Sequence, residues 1–255
     1  MLFRSKYFGA GTQKVQAEVE KSFPDARVLR MDIDTTRGKD AHAQILERFR
    51  SGEANVLVGT QMIAKGLDFP NLALVGVVAA DMTLNLPDYR SVERTFQLIT
   101  QVAGRAGRAQ VPGRVVVQTY DPDHYGIRLA AAQDYRAFFT RESAYRRAAL
   151  YPPFTVIARI VYSAKDAEAA RTAATAAEKR MNAWLDEAGA QRDVVQLRAL
   201  EAPIRMLRGE ARWQLFLKVY FKADMEEIAA RMQALADEAP EGVRGELEIN
   251  PTNMF

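Results

Sequence analysis

Cysteine is absent from this sequence, which excludes a disulfide, a thiolate nucleophile and any cysteine-based zinc or iron-sulfur site, and fits a cytoplasmic protein. Histidine is nearly as scarce. His42 and His124 stand far apart without ligand-spaced partners, so no metal centre is expected and both read as ordinary surface or loop residues. No apolar run approaches the roughly 20 residues of a bilayer-crossing helix. The amino terminus also lacks the basic-then-apolar pattern of a signal peptide, so no membrane partner is expected. Missing too is any Gly-x-x-x-x-Gly-Lys-Ser/Thr loop, so nothing here binds the phosphates and magnesium of a nucleotide independently. Asp81 ends an apolar run, but no Glu follows it, and it does not replace the magnesium-binding acid of such sites.

Charge of one sign is not in excess either. The formal net charge is +3; residues 1–120 hold 16 Lys and Arg against 12 Asp and Glu, and residues 151–255 hold 14 against 16. A surplus this small does not identify a nucleic-acid binder, because dedicated binders show a concentrated basic stripe. What the chain does have is 255 residues with 48% hydrophobic content, enough for one large domain or two ordinary ones.

Lys6-Tyr7-Phe8 reads as a strand that Gly9-Ala10-Gly11 turns into a helix starting near Thr12 or Gln13. A helix amino terminus bearing a hydroxyl and Lys14 suits a DNA phosphate, and Thr12 as a plain N-cap is compatible with that. Val15, Val19 and Phe23 form an apolar stripe before Pro24, and Ala26 to Met31 is the next strand. Asp32 to Gly38 is a polar connection at that strand's carboxyl end, where ligands gather in open α/β sheets; Asp34 reads as a solvated turn or N-cap residue. A helix with Ile45, Leu46 and Phe49 inward ends at Ser51-Gly52, and Asn55 to Val58 is a short strand. Leu72 to Ala79 is a continuous apolar run of the kind buried on both faces of a sheet. A helix from near Asp88 and a strand from Arg114 to Gln118 follow. Strands alternating with helices predict an α/β lobe with a parallel, RecA-like sheet.

The span 134–149 reads as a helix whose Tyr135, Phe138, Phe139 and Tyr145, at helical spacing, form a buried seam. Tyr151-Pro152-Pro153 breaks the chain. Beyond it come a strand (154–162), a helix (166–187), two strands (193–199 and 213–222), a helix (224–238) and a strand (245–249). This βαββαβ order predicts a small α+β domain of the ferredoxin-like kind. Its first helix is alanine-rich, a strong helix former with a thin core contribution. Pro203 to Arg212 holds Arg205, Arg208 and Arg212 beside Trp213, and both a solvated hairpin and a DNA-contacting loop fit. The expected organisation is a lobe over 1–122, a helical linker over 123–152 and an α+β domain over 153–255.

One stretch organises the first half: Gln101-Val102-Ala103-Gly104-Arg105-Ala106-Gly107-Arg108. Its two guanidinium groups, three residues apart, share a helix face, and a rigid fork of donors suits the charge on a transferring phosphoryl group. A helix running into glycine with basic residues in its last turn is also an ordinary C-cap, so alone the motif leaves both readings open. The second stretch, Gly59-Thr60-Gln61-Met62-Ile63-Ala64-Lys65-Gly66-Leu67-Asp68-Phe69-Pro70, follows the strand at Asn55 directly. With it the sequence resembles lobe two of a superfamily 2 helicase, Gly59 to Pro70 standing as motif V and Gln101 to Arg108 as motif VI. Tyr7 to Val15, Arg30 to Thr36, Pro87 to Leu98 and Arg212 to Leu215 resemble the primosomal protein N′, or replication-restart helicase, family in particular.

The resemblance implies an ATP-dependent 3′ to 5′ DNA helicase that restarts stalled replication forks and directs primosome assembly. It implies catalytic roles for Arg105, Arg108 and Gln101, nucleotide-side roles for Gly66, Asp68, Gly104 and Gly107, and DNA contacts by Thr12, Lys14, Gly59, Thr60, Gln61 and Lys65. ATP and Mg²⁺ would be shared with a lobe one that is not in this sequence. The family's zinc module is absent as well, so no zinc ligand is expected here. Implied partners are forked and single-stranded DNA, single-stranded-DNA-binding protein and other primosome proteins. Lys218 and Lys222 are basic positions suited to an acidic peptide. The expectation is therefore a fragment with an incomplete motor; the competing reading is a non-catalytic DNA-binding or primosome-docking module derived from the same helicase.

Overall fold

The computed structural model describes residues 11–32, 34–36, 41–60, 72–104 and 113–254. They divide into two units, one of residues 1–86 with 90–138, the other of residues 87–89 with 139–255.

In the first unit α1 (Thr12–Ser22) starts after Gly11 and leads into β1 (Val28–Met31); α2 (Ala41–Arg50) returns the chain to β2 (Val56–Gly59). The two strands pair in parallel, Val28 opposite Val56 through Met31 opposite Gly59. Leu46 of α2 buries against Met31, with Ile45, Phe49, Leu57 and Leu72 packed around them, as the helical spacing of those residues predicts. A second parallel pair joins β3 (Leu74–Val77) to β4 (Arg114–Val117). Between these strands lie α3 (Asp81–Leu84) and α4 (Ser91–Ala103), and α5 (Tyr125–Ala131) follows β4. Leu84, Phe96, Ile99, Ile127 and Phe138 make the core here, with the rings of Phe96 and Phe138 stacked at 4.0 Å. α5 packs closely on α4: a Cβ on Gly126 would lie 2.8 Å from a Val92 methyl group.

Several expectations for this unit change. The apolar run at 72–79 yields only a four-residue strand, and Leu74 and Val78 are more than half exposed, because among the described residues β3 pairs with β4 alone. The stripe of α1 is not buried: Val15, Val19 and Phe23 line an open groove of about 400 Å³ together with Val78. The expected strand at Lys6 to Phe8 lies outside the described residues.

The second unit has the element order read from the sequence: β5 (Thr155–Ala164), α7 (Ala167–Glu187), β6 (Val194–Leu207), β7 (Glu210–Tyr220), α8 (Met225–Asp237), β8 (Val243–Ile249). The four strands form one antiparallel sheet in the order β6-β7-β5-β8. Every residue of the central strand β5 is buried because both sheet faces are covered. Val156, Ala158, Ile160 and Tyr162 face α7 and α8, whereas Ile157 meets Tyr89, Phe216 and Met254 on the opposite side. The alanines of α7 are not a thin contribution: Ala170, Ala173, Ala174 and Ala177 form its buried face together with Met181 and Leu185, and small side chains let a helix lie close on a sheet.

α6 (Tyr135–Ala148) spans the division between the units: residues to Phe138 belong with the first unit and those from Phe139 with the second. Its aromatic residues do not form a buried seam. Phe138 is buried, but Tyr135, Phe139 and Tyr145 are each more than half exposed. The span Pro203 to Arg212 is strand rather than loop. β6 and β7 extend to a two-residue turn at Arg208-Gly209, both with positive φ (53° and 84°), the conformation that tight hairpins demand. Pro203 falls in the register shift between Glu201 and Met206, where an edge strand tolerates a missing N–H.

Candidate nucleic-acid interface

Because β1 and β2 are parallel and in register, their carboxyl ends emerge side by side, bringing Asp32 next to Gly59 and Thr60. Asp32 is the hub of this end. One carboxylate oxygen accepts the Thr12 hydroxyl at 2.5 Å and faces the Arg30 guanidinium at 3.0 Å; the other accepts the backbone N–H groups of Asp34 and Thr35, both at 3.0 Å. Thr35 and Thr36 return their hydroxyls to the Asp32 carbonyl. The Asp-x-Asp-Thr-Thr turn is therefore wound on Asp32 rather than on Asp34, the residue that the sequence pattern suggests for a turn or cap. An aspartate that bonds its own backbone two and three residues on is the signal that could have found it.

The same bonds tie the start of α1 to the end of β1. Gly11 is the N-cap and makes no side-chain cap bond, so Thr12 does not cap the helix: its hydroxyl goes to Asp32. Lys14 projects from the exposed first turn of α1. Thr12, Gly59 and Thr60, read separately from the sequence, thus belong to one arrangement: two parallel strand ends and a helix amino terminus, the setting in which α/β sheets bind anionic ligands.

Of motif VI, Gln101 and Gly104 end α4. Gly104 has ordinary helical backbone (φ −67°), and a Cβ there would meet only the carbonyls of Thr100 and Gln101 at 3.7 Å, so its backbone makes no use of glycine's wider freedom. Arg105, Gly107, Arg108, Gln61, Lys65, Gly66 and Asp68 lie outside the described residues. Asp81 accepts the Thr119 hydroxyl at 2.9 Å and the Tyr120 N–H, a structural bridge between α3 and the segment after β4. His124 is more than a loop residue: its Nδ1 accepts from Gly126 N–H at 3.1 Å and caps α5. In the second unit Lys218 is buried over the Tyr151 ring, so of the two lysines expected to meet an acidic peptide only Lys222, exposed and 3.3 Å from Asp193, is open to one.

The Thr12 hydroxyl bond, then the Thr35 N–H and the Arg30 charge, hold the Asp32 carboxyl below the usual aspartate value of 3.8. A depressed folded-state value makes the tie fully present above pH 3.8 and lost as pH falls through the lower folded value. Hydrogen exchange in α1 is expected to rise below about pH 4. Asp32→Asn should show the raised exchange already at pH 7; exchange in α1 that matches the parent at both pH values removes the hub.

A parallel α/β lobe whose strand ends carry a motif V-type segment, with a motif VI-type helix end, is a helicase carboxyl-terminal lobe, and the family model for the helicase conserved C-terminal domain matches residues 7–110. The model for the primosomal protein N C-terminal domain matches residues 147–252, which cover the second unit's sheet and helices. The chain belongs to the PriA replication restart family and corresponds to the carboxyl-terminal part of its members. Replication restart protein PriA of Bacillus subtilis is 48% identical over 213 residues, 84% of this chain and 26% of that protein. PriA of Treponema pallidum is 38% identical over 255 residues, 99% of this chain and 37% of that protein. PriA of Haemophilus influenzae is 33% identical over 246 residues, 96% of this chain and 33% of that protein. The chain thus spans between about a quarter and somewhat over a third of these relatives. No helix among the described residues is long and apolar enough to cross a membrane.

Proposed function

We propose that this chain is the DNA-gripping and phosphate-sensing part of an ATP-dependent helicase that moves 3′ to 5′ on forked DNA and rebuilds replisomes in the cytoplasm with single-stranded-DNA-binding protein and other primosome proteins. The observation that carries the reading is the convergence of the β1 and β2 carboxyl ends with the start of α1, bound together through Asp32, at the point where motif V leaves β2. Lys14 and the Thr60 hydroxyl hold the DNA backbone there, supported by Gly59, Gln61 and Lys65; Thr12, engaged with Asp32, orients the helix start. Gln101, Arg105 and Arg108, with Gly66, Asp68, Gly104 and Gly107, face the triphosphate. That triphosphate and its Mg²⁺ are held chiefly by a second lobe, because no phosphate-binding loop exists in this sequence. The strand order of the second unit supports a ferredoxin-like split sandwich for it.

The purified chain is expected to bind forked DNA and to show no DNA-stimulated ATP hydrolysis. Lys14→Ala combined with Thr60→Ala should weaken binding about tenfold and flatten its salt dependence by about one counterion. Binding indifferent to both changes sinks the interface. Robust ATP turnover that Arg105→Ala abolishes sinks the incomplete motor and also the non-catalytic alternative.

A further inference from the structure

The apolar residues of α1 recur at helical spacing, Val15 and Val19 within it and Phe23 at its end, yet the helix buries none of its residues. All three side chains line the open groove of about 400 Å³, and Val78, which follows β3, lines it with them. Phe23 is 63% exposed and Val78 54%. A cleft of that volume lies in the range that holds small organic ligands. Any flat apolar group would gain from covering such walls, so the walls alone do not choose an occupant.

The charged residues of the lining do choose one. Lys14, in the first turn of α1, and Glu18, one turn further on, both border the groove. Residues four apart on a helix stand about 6 Å from one another, so an ion pair between them is within reach. None forms, and among the described residues neither side chain has a hydrogen-bond or ion-pair partner. An ammonium, an apolar wall and a carboxylate therefore follow one another along one face of α1. A nucleotide presents the complementary groups in the same order: a phosphate, the flat faces of a base and, on cytosine and adenine, an exocyclic amine that donates hydrogen bonds. An apolar peptide segment would cover the walls and leave both charges unanswered. Thymine offers a carbonyl where cytosine offers the amine, and a carbonyl facing Glu18 is repelled.

We propose that this groove receives one unpaired base of the DNA strand whose backbone Lys14 holds. The base lies against Val15, Val19 and Val78, Phe23 closes the far end, and the Glu18 carboxylate accepts the exocyclic amine of cytosine or adenine. The phosphate end of the site rests on the interface proposed above; the base preference does not. The first unit thus grips its strand by the backbone and, one turn along α1, distinguishes what the strand carries.

Single-stranded oligomers of equal length, all-dC, all-dT and abasic, titrated onto the full chain by fluorescence anisotropy test the site. The dC oligomer should bind about fivefold more tightly than dT, the worth of one hydrogen bond. The abasic backbone should bind about tenfold more weakly than dC, having no base to cover the walls. Glu18→Gln should erase the preference for dC over dT, because an amide offers both an acceptor and donors. Val19→Ser should weaken dC and dT and leave the abasic oligomer as it was. Val78→Ser, which lies outside α1, should do the same, and this guards against an α1 merely loosened by Val19→Ser. Equal affinity for all three oligomers overturns the site. So does a Val19→Ser effect that Val78→Ser fails to reproduce, or one that falls equally on the abasic backbone. If Lys14→Ala and Thr60→Ala change nothing while the dC preference persists and Glu18→Gln removes it, the backbone interface fails and the base groove stands; the reverse pattern removes the groove alone.

Discussion

Arg108→Ala, in an enzyme rebuilt by joining this chain to the amino-terminal lobe and zinc module of its family, is expected to lower DNA-stimulated ATP turnover about a thousandfold. In the proposed role the guanidinium offsets charge that develops mainly in the transition state, so its loss falls on turnover more than on binding. DNA affinity should change little, since the backbone contacts proposed for Lys14, in the first turn of α1, and for Thr60, just after β2, are untouched. Arg108→Lys should rescue poorly, because a point charge does not reproduce a planar fork of donors. If the Arg105 to Arg108 stretch is only a basic helix end, the pattern reverses: stability drops by about 0.5 kcal/mol, turnover is near normal and lysine substitutes well. Turnover and DNA affinity measured on both variants separate the two, and near-normal hydrolysis by Arg108→Ala ends the phosphate-sensing role.

Gly245→Ala is expected to destabilise the second unit by about 3 kcal/mol, at the upper end of the range for forcing extra volume into a packed interior. Gly245 lies in β8 opposite Tyr162, and a Cβ on it would fall 2.5 Å from the Ala236 carbonyl oxygen of α8, with the Ala236 backbone carbons close behind. Backbone cannot swing aside as a side-chain tip does. The neighbouring turn of α8 is also fixed from below, because the buried Tyr162 hydroxyl donates to the Leu235 carbonyl at 3.1 Å. Relief therefore requires α8 to lift from the sheet, uncovering Met232 and Leu235, both nearly inaccessible in the folded chain. Both tryptophans, Trp184 and Trp213, pack against this core, so their fluorescence follows denaturation of this unit. A Gly245→Ala transition within about 0.5 kcal/mol of the parent would show that α8 and β8 do not approach as described.

The order of elements was legible without coordinates. Alternating strand and helix patterns in the first half, and the βαββαβ order of the second, follow from periodicity and from turn residues such as Ser51-Gly52 and Pro152-Pro153. The family was legible as well, from the segments 7–15, 30–36, 59–70, 87–98, 101–108 and 212–215, since spacing among motifs is a property of the chain itself. Periodicity reports which residues are apolar on one face and says nothing about what meets that face. The α6 aromatics therefore read as a buried seam, yet Tyr135, Phe139 and Tyr145 are exposed. Alanine in α7 reads as a helix former; only its packing on β5 and β7 makes smallness the reason for its presence.

Long-range polar partners were decided by tertiary structure alone. Thr12 and Asp32 are 20 residues apart, Asp88 and Met254 166 apart, and Arg159 reaches 94 and 95 residues to the Asn253 and Met254 carbonyls. A hydroxyl that looked free for phosphate is committed to a carboxylate, and a lysine that looked free for an acidic partner is buried over a ring. Sequence by itself determined which elements form, their order and the family they belong to, because those depend on neighbours along the chain. Which faces are covered, which donors are already satisfied, and that Pro87–Tyr89 lies in the second unit depend on distances across the fold, and only the tertiary structure decided them.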